Sequence, residues 1–185
     1  MSLVVHHLQV SHSERIVWLA EELGVDYKLV IHKRDPFLSP QSIRDLDPLG
    51  QAPVVQDTYD DTDGKMRLTP SHPDYAKYLY WFHFANGNLH PQLSRVMVLK
   101  LCDIDVDPSS PSAPWNTKRH VNHQAKFLRF MDDHLGAGGN KWLAEDQFTA
   151  ADIMNVFPHT TMRTFSGLDL SGYPNILAYL GHCAG

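Results

Sequence analysis

The chain has 185 residues, of which 43% are hydrophobic and 20% charged, with a formal net charge of −5. This is the composition of a globular protein that buries a core without covalent staples. The acidic balance, with a pI near 6.1, excludes a surface built for nucleic-acid phosphates. No apolar run reaches the ~20 residues of a membrane span. Cys102 and Cys183, the two cysteines, cannot form a disulfide framework, a CxxC redox pair or a Cys-rich zinc site. Residues 1–7 lack the basic and long apolar regions of a secretory signal, so the cytoplasm is the expected compartment.

Residues 3–8 are apolar and rich in β-branched side chains, and read as a strand. Ser11 with Glu14 three positions on is a capping-box pattern that starts a helix. Ile16, Leu19, Ala20 and Leu23 then recur at helical spacing, and Gly24 is placed to end it. Residues 27–32 read as a second strand. After a loop from Asp35, Ser39-Pro40 opens a short helix with proline at its first position. Asp47-Pro48-Leu49-Gly50 is a breaker cluster, followed by a third strand over residues 53–56. Asp63-Gly64 is a tight hairpin signal, and residues 65–68 are the returning strand. The order to this point is βαβαββ.

From Ser71 onward the pattern is helical. Residues 75–86 carry Tyr75, Tyr78, Tyr80, Trp81, Phe82 and Phe84, and residues 93–101 continue that helix after Pro91. A Pro/Ser loop spans 107–114. Residues 116–135 form a helix with Val121, Phe127, Leu128 and Met131 inward. Thr149 and Asp152 form a second capping box, with Phe148 stapling onto Ile153, and that helix runs toward Arg163. Tyr173-Pro174-Asn175 starts the last helix. His120 and His123 share a helix face, but without a nearby acidic partner in a metalloprotease-like frame they read as a hydrated polar face, not a zinc site.

Four segments, in order and spanning nearly the whole chain, resemble the cytosolic glutathione transferase superfamily, specifically its fungal and bacterial branch. They are residues 6–23 with Ser11-His12-Ser13-Glu14-Arg15; Lys33-Arg34-Asp35 with residues 47–55; residues 75–91 with Trp81-Phe82-His83-Phe84-Ala85-Asn86-Gly87; and Trp142-Leu143-Ala144 with residues 148–153. The resemblance implies an α/β plus all-α architecture: a thioredoxin-like N-terminal domain over residues 1–71 and a helical bundle over 72–185, usually dimeric. It implies glutathione as co-substrate, no metal, and an electrophile held by the helical domain. A hydroxyl at the N-terminus of the first helix would stabilise the glutathione thiolate, which is the nucleophile.

Ser11 is the first candidate for that hydroxyl and Ser13 the second; alternatively Ser11 caps the helix with Glu14, two roles that compete for one oxygen. His12 reads as an exposed loop residue. The segment Gln51, Ala52, Pro53 and Val54 resembles the family's cis-proline turn, whose backbone pairs with the cysteinyl part of glutathione like an added strand. The contacting backbone is expected at Gln51 and Ala52. Gln51 and Arg34 are candidates for the glycyl carboxylate; each could equally be a solvated surface residue.

The chain departs from the family after residue 68. There the family places a Glu-Ser or Gln-Ser pair at the start of a third helix, which binds the γ-glutamyl carboxylate. A helix and connection of roughly 20 residues is absent here. Ser71 either stands where that serine should or belongs to a plain linker over 69–73. The loss removes an anchor for glutathione and uncovers one face of the sheet. The chain also ends early for the family, which is expected to leave the last helix short. Two functions remain: a glutathione transferase acting on a small electrophile, in detoxification or a fungal biosynthetic step, or a non-catalytic relative that binds a partner through the exposed sheet face. A thioredoxin-type redox role is excluded because residues 10–15 contain no cysteine.

Overall fold

The computed structural model describes residues 3–36, 38–56, 66–137, 140–144 and 147–184. It comprises two compact units, Met1–Arg67 and Leu68–Gly185.

The first unit is built on a three-stranded sheet. Its elements are β1 (Leu3–Leu8), α1 (Glu14–Leu23), β2 (Tyr27–His32), α2 (Gln41–Arg44) and β3 (Val54–Gln56). The strand order is β2-β1-β3, so β1 is central. β1 runs parallel to β2, from Leu3 opposite Tyr27 to Leu8 opposite His32. It runs antiparallel to β3, with His6 opposite Val54. The parallel pair needs a crossover, and α1 supplies it. Gly24, at φ 62°, closes α1 with its N–H on the carbonyls of Ala20 and Glu21, a left-handed position that suits glycine. The hairpin expected at Asp63-Gly64 lies outside the described residues. Within the returning strand expected over 65–68, Met66 is in a turn, Arg67 in a bend and Leu68 in irregular structure, not a strand. Met66 sits at φ 62°, which is incompatible with extended pairing.

Residues opposite one another in register share a face of the sheet. Val5 is fully buried, yet its partners Leu29 and Val55 are 40% and 41% exposed, and Ile31, two residues beyond Leu29, is 63% exposed. This face carries open apolar surface on both flanking strands. The opposite face carries a chain of polar contacts. His6 Nε2 lies 3.3 Å from Gln56 Oε1, His6 Nδ1 lies 3.0 Å from His32 Nε2, and His32 Nδ1 lies 2.7 Å from Ser42 Oγ of α2. Burial, together with the nearby His6, holds His32 below the usual histidine range.

The second unit is all-helical: α3 (Tyr75–Phe84), a π-helical turn (Ala85–Leu89), α4 (His90–Leu101), α5 (Trp115–Gly136), α6 (Ala150–His159), α7 (Thr161–Ser166) and α8 (Pro174–Cys183). The π-helical turn lets the α3–α4 rod continue. It places Pro91 in the first turn of α4, where a missing N–H removes no α-helical bond. The helix expected to run on to Arg163 breaks at Thr160 (φ −112°, ψ −96°), and Arg163 belongs to α7. Trp81, Phe84, Leu93, Leu128, Met131, Leu143, Leu170, Ile176 and Tyr179 pack in one core.

Two buried carboxylates organise this core. Asp152 answers Thr149 in the capping box. Its oxygens accept the Thr149 N–H at 2.8 Å, the Leu143 N–H at 2.9 Å and the Tyr179 hydroxyl at 3.3 Å. Burial raises its carboxyl above the usual range, opposed by these hydrogen bonds. Phe148 lies against Trp142, with ring centroids 4.9 Å apart. Asp132 on α5 accepts the N–H groups of Asn175 and Ile176 at 2.9 and 3.0 Å, capping the start of α8 with negative charge. Burial pushes the Cys183 thiol up to about 12, so it stays protonated, while Cys102 is exposed. Among the described residues no helix is long and apolar enough to cross a membrane.

Asp152→Ala strands the Leu143 and Thr149 N–H donors in the core and leaves the Tyr179 hydroxyl only the main-chain carbonyl of residue 152. It is expected to lower the unfolding free energy by about 3 kcal/mol, read from urea denaturation followed by circular dichroism. His159 supplies a pH prediction. It is fully buried, its Nδ1 lies 2.7 Å from the Asn155 carbonyl, and burial lowers its pKa to about 4. The unfolded chain therefore takes up this proton first as pH falls. The stability from keeping the ring neutral is complete above the unfolded pKa of 6.5. It is lost progressively toward pH 4, by roughly 3 kcal/mol. His159→Gln, which does not titrate, should flatten the slope of stability against pH over that window.

Candidate functional site

The site of interest begins where β1 ends. Gln9 donates its N–H to the His32 carbonyl at 2.9 Å. The next residue, Val10, has φ 51°, a left-handed conformation that is strained for a β-branched side chain. Arg34 holds this turn: its Nε donates to the Gln9 carbonyl at 3.0 Å and its Nη2 to the Val10 carbonyl at 2.9 Å. The turn swings the chain so that Ser11 and Ser13 both face back to Leu8.

The Ser11 hydroxyl lies 2.7 Å from the Leu8 carbonyl and 2.6 Å from Ser13 Oγ, and it accepts the Ser13 N–H at 3.2 Å. Ser13 Oγ accepts the Leu8 N–H at 3.0 Å, lies 3.1 Å from the Leu8 carbonyl and sits 2.8 Å from His7 Nδ1. The expected capping box is therefore not how α1 starts. The N-cap residue is Ser13, in an α-helical conformation with no side-chain cap, and the Ser11 oxygen is turned toward β1. Ser13 is completely buried, whereas Ser11 retains 6% exposure.

His12 is half-buried rather than an exposed loop residue, and its Nδ1 meets the guanidinium of Arg15. Arg15, in the first turn of α1, is 5% exposed. Burial lowers its pKa to about 10, which leaves it cationic at neutral pH. No sequence signal separated this buried cation from an ordinary helix-surface arginine.

The antiparallel register places the residues just before β3 beside the end of β1. There the Ala52–Pro53 peptide bond is cis. Gln51 and Pro53 are exposed, and Ala52 and Val54 half-buried. The Gln51 N–H donates to Asp47 Oδ2 at 2.7 Å, and Gly50 precedes it at φ 64°. A side chain at Gly50 would meet the Arg44 Cγ at 3.1 Å, so this turn favours glycine on two counts. Ser71 belongs to the second unit, where it is exposed, with its hydroxyl 3.0 Å from Thr69 Oγ1. Among the described residues no group of three or more metal-ligating side chains is close enough to hold an ion.

A small α/β unit with a cis-proline turn, followed by a helical unit, is a thioredoxin-like domain joined to an all-helical domain. Residues 11–72 match the family model "Glutathione S-transferase, N-terminal domain", and residues 116–185 match "Glutathione S-transferase, C-terminal domain". The chain is 32% identical over 180 residues to glutathione S-transferase 3 of Schizosaccharomyces pombe, covering 84% of this chain and 72% of that protein. A crystal structure of a glutathione S-transferase from Actinobacillus pleuropneumoniae superposes with a TM-score of 0.82 at 25% identity, covering 98% of this chain and 86% of that one. A glutathione transferase homolog from Lodderomyces elongisporus, solved with two GSH per subunit, shares the fold with a TM-score of 0.73 at 16% identity, covering 97% and 91% of the two chains. The chain belongs to the glutathione S-transferase superfamily.

The two Arg34 bonds hold the strained turn ahead of Ser11. Arg34→Ala is expected to speed amide hydrogen exchange over residues 9–13 and to lower the unfolding free energy by about 1 kcal/mol. Unchanged exchange would show that the turn holds without it.

Proposed function

We propose that the chain conjugates glutathione to a small electrophile, with Ser11 as the hydroxyl that stabilises the thiolate. The supporting observation is the position of Ser11. It stands at the start of α1, keeps a small exposed surface, and is backed by the buried Ser13. A hydrogen bond from the Ser11 hydroxyl to sulfur favours the charged form, as do the N-terminal end of α1 and the Arg15 cation. The thiol proton passes to water. The thiolate then attacks the electrophilic carbon, a sulfur–carbon bond forms, and the leaving group departs with its electron pair. In this reading the backbone at Gln51 and Ala52, set by Pro53 and Val54, pairs with the cysteinyl part of glutathione. Ser13 supports Ser11 without touching substrate. Arg34 contributes by holding the turn as well as by its charge, and Gln51 contributes a side chain at the rim; Ser71 is left without an assigned role. We place the protein in the cytoplasm as a homodimer. The electrophile is either a toxic compound or a biosynthetic intermediate.

A second reading, a non-catalytic relative that binds a partner, is favoured by one observation: the apolar exposure of Leu29, Ile31 and Val55 on a single sheet face. Calorimetric titration with glutathione, followed by an aryl-halide conjugation assay, separates the two. The first reading expects binding in the millimolar range or tighter, and a loss of rate of about 100-fold in Ser11→Ala, in line with removal of one donor to a developing anion. No binding at millimolar glutathione would favour the second reading, and a rate unchanged in Ser11→Ala would remove Ser11 from the mechanism.

A further inference from the structure

We infer that His7 is a positioning residue that, through Ser13, turns the Ser11 hydroxyl hydrogen toward the glutathione sulfur. This rests on the assignment of Ser11 as the thiolate-stabilising hydroxyl.

Four short contacts link these groups. Ser11 Oγ lies 2.6 Å from Ser13 Oγ, Ser13 Oγ lies 2.8 Å from His7 Nδ1, and both hydroxyls lie near the Leu8 carbonyl. Each hydroxyl has one hydrogen to give and two lone pairs to fill. Two main-chain donors are fixed: the Leu8 N–H on Ser13 Oγ and the Ser13 N–H on Ser11 Oγ.

His7 decides how the rest is arranged. When Nδ1 is unprotonated, Ser13 donates to it. Ser13 Oγ then has a free lone pair, and the Ser11 hydrogen is drawn inward to it or to the Leu8 carbonyl. In that state sulfur competes with two inward acceptors for the Ser11 hydrogen, and Ser11 is the weaker donor to it. When Nδ1 carries a hydrogen, His7 donates to Ser13. Together with the Leu8 N–H this fills both Ser13 lone pairs. The Ser13 hydrogen turns to Ser11 at 2.6 Å in preference to the Leu8 carbonyl at 3.1 Å, and the Ser11 lone pairs are then filled by the Ser13 N–H and O–H. The Ser11 hydrogen is left with two acceptors, the Leu8 carbonyl and whatever faces the small exposed surface of Ser11. A thiolate there accepts a charge-assisted hydrogen bond, the stronger of the two. His7 thus acts at a distance of two hydrogen bonds and touches no substrate. Position 7 is suited to this because β1 alternates: His6 faces His32 on one side of the sheet, and His7 reaches the start of α1 on the other.

The test uses the full chain and its His7→Phe, His7→Gln, Ser13→Ala and Ser11→Ala variants. The probes are ultraviolet thiolate absorbance of bound glutathione against pH, glutathione affinity by calorimetry, and nitrogen-15 NMR of the His7 ring. The expected result is a His7 Nδ1 that bears hydrogen in the glutathione complex. His7→Phe and Ser13→Ala should form about tenfold less thiolate at a fixed pH near neutrality, a change of about 1.4 kcal/mol. Their glutathione affinity at low pH, where the thiol is protonated, should stay within about twofold of wild type, since the chain orients only the Ser11 hydrogen. His7→Gln, which keeps a side-chain N–H, should restore most of the thiolate. A merely structural role for His7 would lower affinity and thermal stability without this selective change. If His7→Phe does not fold, the NMR tautomer and His7→Gln carry the decision. An unprotonated Nδ1 in the complex overturns the inference, as does a thiolate titration unchanged in His7→Phe while Ser11→Ala abolishes it. A titration unchanged in Ser11→Ala, or no glutathione binding by wild type, overturns the Ser11 reading and this inference together.

Discussion

The main-chain amide and carbonyl of Leu8 hold the functional end of the first unit together. This one residue receives the Ser11 hydroxyl on its oxygen and gives its N–H to Ser13. Leu8 is the last residue of the central strand, so its position is set by pairing with β2. Both serines inherit that rigidity. The turn between strand and helix is forced into a left-handed conformation at Val10 and kept there by Arg34.

β1 also distributes work between its two faces. Adjacent histidines point in opposite directions. His6 joins Gln56, His32 and Ser42 in a chain that ties α2 to the sheet, and His7 joins the serines at the start of α1. The face bearing Val5 is unevenly covered, buried at the centre and open at Leu29, Ile31 and Val55. The sheet is thus well fastened on the α2 side and more open on the other.

The helical unit uses one device twice. A buried carboxylate accepts main-chain N–H groups at the start of a helix: Asp152 at α6 and Asp132 at α8. Only Asp152 was legible in the sequence, because its partner Thr149 lies three residues away. Asp132 caps residues more than 40 positions later in the chain, and no local pattern encodes such a pairing. The same distinction applies at the start of α1. Ser11 with Glu14 matched a capping box, yet the hydroxyl found its partners across a turn at Leu8 and Ser13, and Arg15 was drawn into burial beside His12.

The sequence by itself determined the order of the first three strands and two helices, the starts of α3, α6 and α8, the cis-proline turn by resemblance, and the family. These depend on residues close in the chain or on motifs read in order. Only the tertiary structure decided that Ser13 is sealed behind Ser11, that Arg34 braces a strained turn, that His7 reaches the serines, and that residues 66–68 do not extend the sheet. Each of these depends on which side chains a strand end, a turn and a helix start bring within hydrogen-bond distance. That is a matter of three-dimensional closure, which residue spacing does not specify.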